Sequence, residues 1–336
     1  MKIISWTFNR GFSLPGGGWY YSETADITDT HGDQFELLDV LYKAGLYGLF
    51  SDYPEFVSFY MSCIVDDFAS KGSGMSYISE SIKSVSDPSL KAKLDFCDKH
   101  PSFTLASHPF TIGHRGAPGL PGNKTSMPMF PEHSFESYRA AAEQGAGIIE
   151  CDVAVTKDNV LVCRHSQCDL HSTTNILSTG LVHKCGVTSA DKCCTSDLTL
   201  AEFKTLEARQ ENDVTSDVIG TLITHAESIE LIKSLGLKFT PELKAYTQGA
   251  GMMEYDALRA KVLDEYVQAG VSPEDVYVQS FVDADVDYWL ANNDQGFKIV
   301  QLMNQYGGYL LSGTAEHPRY LPDTETPHFL ENSMKN

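Results

Sequence analysis

The apolar positions of this chain change their spacing from segment to segment, and the spacing predicts the elements. Residues 3–8 (IISWTF) form a short apolar run that reads as a buried strand. A glycine-rich loop at Gly11–Gly18 and an acidic loop around Asp26–Asp33 follow. Residues 34–44 (QFELLDVLYKA) repeat apolar side chains at helical spacing, and Gly45 supplies a stop. GLFSD (48–52) reads as a second strand ended by Pro54, and 55–69 as an amphipathic helix. Residues 70–108 break the pattern. Ser, Lys, Asp and Pro dominate there, the candidate helices are short and weak, and the stretch reads as a linker or excursion.

From Phe110 the alternation of elements is strong. FTIGH (110–114) is a strand and 133–144 a helix. GIIECDVAV (147–155) is a strand, paired with LVCRHS (161–166) across a turn at Asp158-Asn159. After a long loop come a helix at 221–235, the strand LKFTPEL (237–243) and a helix at 254–269. The strand VYVQSF (276–281), a helix at 283–292 and the strand FKIVQLM (297–303) complete the run. Apolar strands alternating with helices predict a parallel α/β sheet, and polar residues recur at the C-terminal strand ends, where a barrel carries its chemistry. The tail from Ser312 reads as irregular.

Composition narrows the functions. With 336 residues and 42% hydrophobic content, the chain can bury a core of barrel size. A formal net charge of −20 argues against broad binding of nucleic acid or of an anionic membrane, yet leaves room for a small anionic substrate at a locally positive or metal-bearing site. No 18-residue apolar run exists, so no membrane span is expected. No export signal is read at the start, because Trp6, Asn9 and Arg10 interrupt the apolar run. Four of the eight cysteines (Cys168, Cys185, Cys193, Cys194) crowd one loop. Their spacing lacks paired C-x2-C knuckles, so disulfides and an oxidising compartment are expected ahead of zinc.

The chemistry gathers at the strand ends. Glu150 and Asp152 lie two apart in a strand, hence on one face. Adjacent carboxylates repel, and a divalent cation with oxygen ligands, Mg²⁺ or Ca²⁺, resolves the conflict. Glu242 ends another strand, with Lys244 nominally on the same face and placed to neutralise a phosphate oxygen. His114 and Arg115 end FTIGH, followed by Gly116; a histidine carries protons near neutral pH, and an arginine offers a fork to a phosphate. His165 supplies a second proton carrier. Gln279 and Ser280 at a strand end, and Trp6 near the end of its own, are weaker candidates for touching substrate. Glu132 and His133 read as helix-opening residues, and Arg164 and Asp169 as solvated. Gly11–Gly18 carries neither a Walker ending nor a dinucleotide fingerprint.

From His114 onward the chain resembles the glycerophosphodiester phosphodiesterase family. The resemblance rests on GHRGAPG (113–119), PEHSFESYRAA (131–141), GAGIIECDVAVTKDNVLVCRHS (145–166), FTPELK (239–244) and VYVQSF (276–281). The Cys-rich insertion after CDLHSTTNIL looks like the secreted fungal branch, so a secreted protein is expected. The resemblance implies a TIM barrel, with His114 and His165 as the acid–base pair. It implies that Glu150, Asp152 and Glu242 hold a divalent metal, and that Arg115 and Lys244 meet the phosphate. It implies a small phosphodiester substrate, cleaved to sn-glycerol 3-phosphate and an alcohol. Ser166 stands where the family's second motif has an aspartate.

The order of segments departs from the family. IISWTF, the GGGWYY loop and GLYGLFSDYP (45–54) resemble its last two barrel strands but precede the first. The expected layout is therefore a TIM-like (β/α)8 barrel, α/β in class, permuted or incomplete near the sixth strand. Residues 1–65 supply the last two strands, 66–107 a linker or excursion, 108–311 the first five or six strands with the Cys-rich loop 168–194, and 312–336 an irregular tail. GGYLL (307–311) is a poor candidate for the sixth strand. Two other readings stand beside an active phosphodiesterase: a phospholipase D-like hydrolase of lysophospholipids, and a catalytically inactive fragment or binding relic of the barrel.

Overall fold

The structure is a computed structural model, and it describes residues 2, 4–5, 30, 32–66, 76–100, 106–119, 130–189, 192–210, 217–244 and 251–302, with 308–313 and 318–323; of 5, 76, 77 and the last two segments it describes the backbone alone. Its strands are β1 (Ile4–Ser5), β2 (Gly48–Ser51), β3 (His108–Gly113), β4 (Ala146–Val155), β5 (Leu161–Cys163), β6 (Glu207–Ala208), β7 (Gly220–Thr221), β8 (Lys238–Leu243), β9 (Tyr277–Ser280), β10 (Lys298–Gln301), β11 (Gly308–Gly313) and β12 (Pro318–Asp323). Its α-helices are α1 (Asp33–Lys43), α2 (Pro54–Tyr60), α3 (Ser76–Lys83), α4 (Pro88–Lys99), α5 (Phe135–Glu143), α6 (Leu170–Thr173), α7 (Leu200–Phe203), α8 (His225–Ser234), α9 (Tyr255–Gln268) and α10 (Asp283–Ala291).

The main sheet runs β1-β2-β3-β4-β8-β9-β10, with every neighbouring pair parallel. The strand β5 adds antiparallel to β4 through the turn at Asn159, whose φ of 63° suits the left-handed position of such a turn. The two strands that come first in the chain therefore sit ahead of β3, where the last two strands of an eight-stranded barrel would close onto the first. The sheet is a parallel half-barrel of α/β class, and it wraps around a plug of Phe50, Ile112, Ile148 and Tyr277. Ile4 from one edge strand and Val300 from the other both pack on that plug. Among the described residues β1 and β10 do not pair, so the sheet stays open where a sixth strand would lie. GGYLL does not fill the gap: from Gly308 on it belongs to β11, which pairs antiparallel with β12 in a separate two-stranded sheet, so the tail from Ser312, expected to be irregular, carries regular strand at 318–323. Antiparallel strands need only a short turn, whereas a parallel sixth strand needs a crossover of a dozen or more residues.

Period-two alternation assigns the two faces of each strand. Ile149, Cys151, Val153, Phe239, Leu243 and Val278 point outward, against Tyr138 of α5, Ile229 and Ile232 of α8, Leu258 and Val262 of α9, and Trp289 of α10. A second cluster covers β2 and β3: Leu49 and Phe110 pack under Phe35 and Leu38 of α1 and Phe56, Val57 and Tyr60 of α2.

The stretch read as a linker or excursion carries α3 and α4. Ile78 and Ile82 lie four apart, as do Leu90 and Leu94, with Cys97 three further on, and all five are buried in this second cluster. Each Ile or Leu so buried stabilises the fold by about 1.5–3 kcal/mol. One apolar stripe therefore suffices despite the polar composition. Asp87 caps α4 by accepting from the Leu90 amide, and a disulfide joins Cys63 to Cys97. No helix of the described residues is long and apolar enough to cross a membrane.

Candidate active site

The plug ends abruptly toward the C-terminal strand ends. Inward positions two residues on from Ile148 are Glu150 and then Asp152; Ile112 is followed by His114, Phe50 by Asp52 and Tyr277 by Gln279. Cross-strand register places Asp152 opposite Glu242, and Glu242 opposite Gln279. One ligand oxygen each from Glu150, Asp152 and Glu242 can be chosen so that all three lie within 4.8 Å of one another. The carboxylates are almost wholly buried, at 1%, 1% and 3% exposure.

Burial, then the charges of Asp152 and Glu242, push the Glu150 carboxyl well above its ordinary value. Burial and Asp152 push Glu242 up to about 7. Burial acts the same way on Asp152, but Lys244 and His133 outweigh it and hold this group well below the carboxylate range. Lys244 donates to Glu242 Oε1 at 2.6 Å and lies 3.5 Å from Asp152 Oδ2. A single lysine does not neutralise three carboxylates. Asp152 Oδ1, fully buried, has no hydrogen-bond partner among the described residues. A buried, unpartnered carboxylate oxygen in an all-oxygen donor set fits a hard divalent cation.

The His114-Arg115-Gly116 turn supplies the second wall. Arg115 adopts φ 55° and Gly116 φ 93°. A Cβ on Gly116 would sit 2.4 Å from Ser137 Oγ, so only glycine lets the turn lie against α5. This fold aims the Arg115 amide at Glu150 Oε2, 2.9 Å away. It sends the guanidinium to Glu132 Oε2 at 2.6 Å and to His165 Nε2 at 2.7 Å. Arginine only donates, so His165 accepts at Nε2. Burial and the Arg115 charge hold His165 down to about 3, in its neutral form.

His114 is held from the far side of the chain. Its Nδ1 lies 2.6 Å from Asp52 Oδ1, and its Nε2 faces Glu150 Oε2 at 3.8 Å. The His114 amide donates to Ser51 O at 3.0 Å, which fixes the end of β3 against the end of β2. Asp52 thus joins a site otherwise built from residues after His114, and the pairing of β2 with β3 is what brings it there.

Several residues depart from the roles their sequence context suggested. Glu132 and His133 do not cap α5; Ser134 does, accepting from the Ser137 amide. Glu132 bridges Arg115 and Arg164, at 2.6 and 3.3 Å, and these cations hold its carboxyl below the ordinary range against the opposing effect of burial. His133 meets Asp152. Arg164 is fully buried rather than solvated, and its guanidinium is paired there with Glu132 and Asp169. Asp169 also accepts from the Ser166 amide at 3.0 Å, so a carboxylate does steady the segment after His165 although Ser166 itself is exposed. Gln279 reaches the site but gives its amide to Glu150 Oε1 at 3.0 Å, and Ser280 donates to Asp285 at 2.7 Å. Trp6 lies outside the described residues.

All eight cysteines are paired: Cys63–Cys97, Cys151–Cys163, Cys168–Cys194 and Cys185–Cys193. That leaves no thiolate for zinc. Four disulfides fit folding in an oxidising compartment.

Comparison with known proteins gives the following. The model of the glycerophosphoryl diester phosphodiesterase family matches residues 114–305. An extracellular protein of Arthroderma benhamiae is 33% identical over 94 residues, 27% of this chain and 38% of that protein. A probable glycerophosphodiester phosphodiesterase of Mycobacterium tuberculosis is 41% identical over 63 residues, 19% of this chain and 20% of that one. The matches thus span well under half the length of these curated relatives. Among solved structures, a putative glycerophosphoryl diester phosphodiesterase from Silicibacter pomeroyi superposes with a TM-score of 0.45 at 18% identity, covering 57% of this chain and 64% of that one. An Oleispira antarctica phosphodiesterase, solved with sn-glycerol-3-phosphate, gives 0.40 at 21% identity, covering 56% and 63%.

Proposed function

This chain belongs to the glycerophosphoryl diester phosphodiesterase family, and from that premise we propose that it hydrolyses glycerophosphodiesters to sn-glycerol 3-phosphate and a free alcohol. The observation that carries the reading is the convergence of Glu150, Asp152 and Glu242, with Asp152 Oδ1 unpartnered, beside Arg115, Lys244 and two histidines.

The three carboxylates would hold a divalent cation, Mg²⁺ or Ca²⁺, which when bound draws electron density from a phosphoryl oxygen. Arg115 and Lys244 take the remaining phosphoryl oxygens; a fork and a point charge suit the two sides of a tetrahedral anion. His114 donates its Nδ1–H to the Asp52 carboxylate, so Nε2 faces the site with a free lone pair and serves as the base for the nucleophile. His165 is the acid for the leaving alcohol. Burial, and after it the Arg115 charge, hold its imidazole neutral. A phosphate engaged by Arg115 both occupies that charge and adds a negative one, and each change favours the imidazolium.

The test is choline release from glycerophosphocholine by the full chain, with Mg²⁺ or Ca²⁺ and again with EDTA. Metal-dependent release supports the reading. Metal-independent release removes the metal from it. Turnover of lysophospholipids without turnover of soluble glycerophosphodiesters points instead to a phospholipase D-like hydrolase. Inertness toward both classes leaves a relic that keeps the site and has lost the reaction.

A further inference from the structure

Behind Asp152 lies a buried contact that the proposed reaction does not use. His133 and Tyr138 are both wholly buried. His133 Nε2 lies 2.9 Å from Asp152 Oδ2, and its Nδ1 lies 2.9 Å from the Tyr138 hydroxyl. The partners fix the protons. A carboxylate only accepts, so Nε2 carries the hydrogen; Nδ1 then accepts, and Tyr138 O–H donates. The chain Tyr138 → His133 → Asp152 thus runs in one direction, from α5 to the carboxylate.

Its backbone is also unusual. His133 has φ 51°, in the left-handed region that non-glycine side chains rarely adopt. Its amide donates to Arg115 O at 3.1 Å, so the same residue that holds Asp152 also braces the Arg115 turn. A merely space-filling residue would need neither the strained backbone nor two polar partners. Strain held in place by surrounding hydrogen bonds is common beside working sites.

The consequence concerns Asp152. Its Oδ2 is taken by His133, while Oδ1 has no partner. With one oxygen tied back, the carboxylate cannot rotate freely, and it is held where one of its oxygens lies within 4.8 Å of oxygens of Glu150 and Glu242.

We propose that His133, oriented by Tyr138, is a positioning residue that fixes the Asp152 carboxylate toward the cation and so sets the metal affinity of the site. This rests on the reading of Glu150, Asp152 and Glu242 as metal ligands. It assigns His133 no contact with substrate. Hydrogen-bonded partners behind metal ligands typically change affinity by roughly 10–100-fold when removed.

The experiment is calorimetric titration of Mg²⁺, and separately Ca²⁺, into the full chain, with no substrate present. His133→Leu removes the donor, His133→Gln keeps one near the Nε2 position, and Tyr138→Phe deletes only the hydroxyl. The expected result is a rise in Kd of roughly 10–100-fold for the leucine variant, a smaller rise for the phenylalanine variant, and recovery toward the wild-type value with glutamine. If His133→Leu fails to fold, Tyr138→Phe decides, because it leaves the imidazole and the packing in place. Wild-type Kd in a folded leucine variant, or in the phenylalanine variant when that one decides, overturns the positioning role while the metal reading stands. A wild-type protein that binds neither cation overturns the metal reading, and this proposal with it.

Discussion

Asp52→Asn is the perturbation that probes the architecture most directly. Asp52 belongs to the segment outside the residues 114–305 that match the family, yet its Oδ1 lies 2.6 Å from Nδ1 of His114. Both side chains are buried, at 6% and 9% exposure. When His114 takes a proton, an imidazolium forms beside this carboxylate. Opposite charges about 4 Å apart at an effective dielectric of ~20 attract by about 4 kcal/mol. Asparagine keeps the shape and a carbonyl acceptor but loses the charge, and it can present its NH2 and so select the wrong tautomer. Losing most of that attraction in the transition state predicts a fall in kcat of roughly 10²–10³-fold. The assay is steady-state choline release from glycerophosphocholine at saturating Mg²⁺, with far-UV circular dichroism to establish folding. KM should move little, since the effect lies on proton transfer rather than on substrate binding. In a His114→Ala background Asp52→Asn should add almost nothing, because two residues acting as one unit are not additive. A folded Asp52→Asn enzyme with kcat within about threefold of wild type would refute the reasoning. Asp52 would then be a bystander, and β2 would contribute packing alone.

Chelation with EDTA should abolish activity and added Mg²⁺ or Ca²⁺ restore it, whereas Glu150→Gln should lose activity that no metal concentration in the assay recovers. His165→Ala should lower kcat by roughly 10²–10⁴-fold without unfolding the protein, as followed by thermal melting. Arg115→Lys should lower kcat/KM by roughly 10–100-fold, the 1.5–3 kcal/mol of a charged hydrogen bond, because lysine cannot span Glu132 and a phosphate together. Replacing Cys63 and Cys97 by serine opens a loop with a sequence separation of 34; the expected cost is about 3–4 kcal/mol, read as a lower denaturant midpoint. Peptide mapping under non-reducing conditions should recover the four pairs of the structure.

The site was legible where its residues sit on regular strands. Glu150 and Asp152 share a face because side chains alternate, and the structure brings them together with Glu242 through plain strand register. The same rule fails where irregular backbone places the side chain. Glu132 and His133 read as an ordinary helix opening, yet the left-handed φ of His133 turns its ring inward to Asp152, and Ser134 takes the capping role. No spacing rule predicts a positive φ at a histidine. The one available signal was composition: a buried-looking Glu-His pair is more than a cap requires when Ser134 already supplies one. Arg164 misled for a related reason. An arginine is assumed solvated until its partners are known, and Glu132 is 32 residues away. The α3–α4 pair was obscured by lysine and serine on the outer face, although Ile78, Ile82, Leu90 and Leu94 keep helical spacing. Disulfides in the loop of Cys168, Cys185, Cys193 and Cys194 were legible and are present, but the pairing was not, since eight cysteines allow on the order of a hundred connectivities.

Strand order is the other feature that local pattern leaves open, and it determines whether the site is whole. Apolar runs at 3–8 and 48–52 predict strands but not neighbours. Parallel pairing requires a crossover, and α1 and α2 each supply one, between β1 and β2 and between β2 and β3. Once β2 lies beside β3, Asp52 must fall at the rim next to His114, because Ser51 pairs with Gly113 and each chain advances one residue beyond its pair. The open side lies elsewhere. Asp52, His114, Glu150, Asp152, Glu242 and His165 sit on or just beyond β2, β3, β4, β8 and β5, whereas β1 and β10 flank the gap and hold Ile4 and Val300 on the apolar plug below. Among the described residues, the gap between β1 and β10 leaves backbone unpaired at two edges and weakens the floor of the half-barrel, but it lies away from the cluster of Glu150, Asp152, Glu242, His114 and His165. Stability and catalysis should respond separately. Substitutions at Ile4 or Val300 should loosen the sheet, where unpaired edges already invite association, while leaving the distances around Asp152 intact in whatever fraction remains folded.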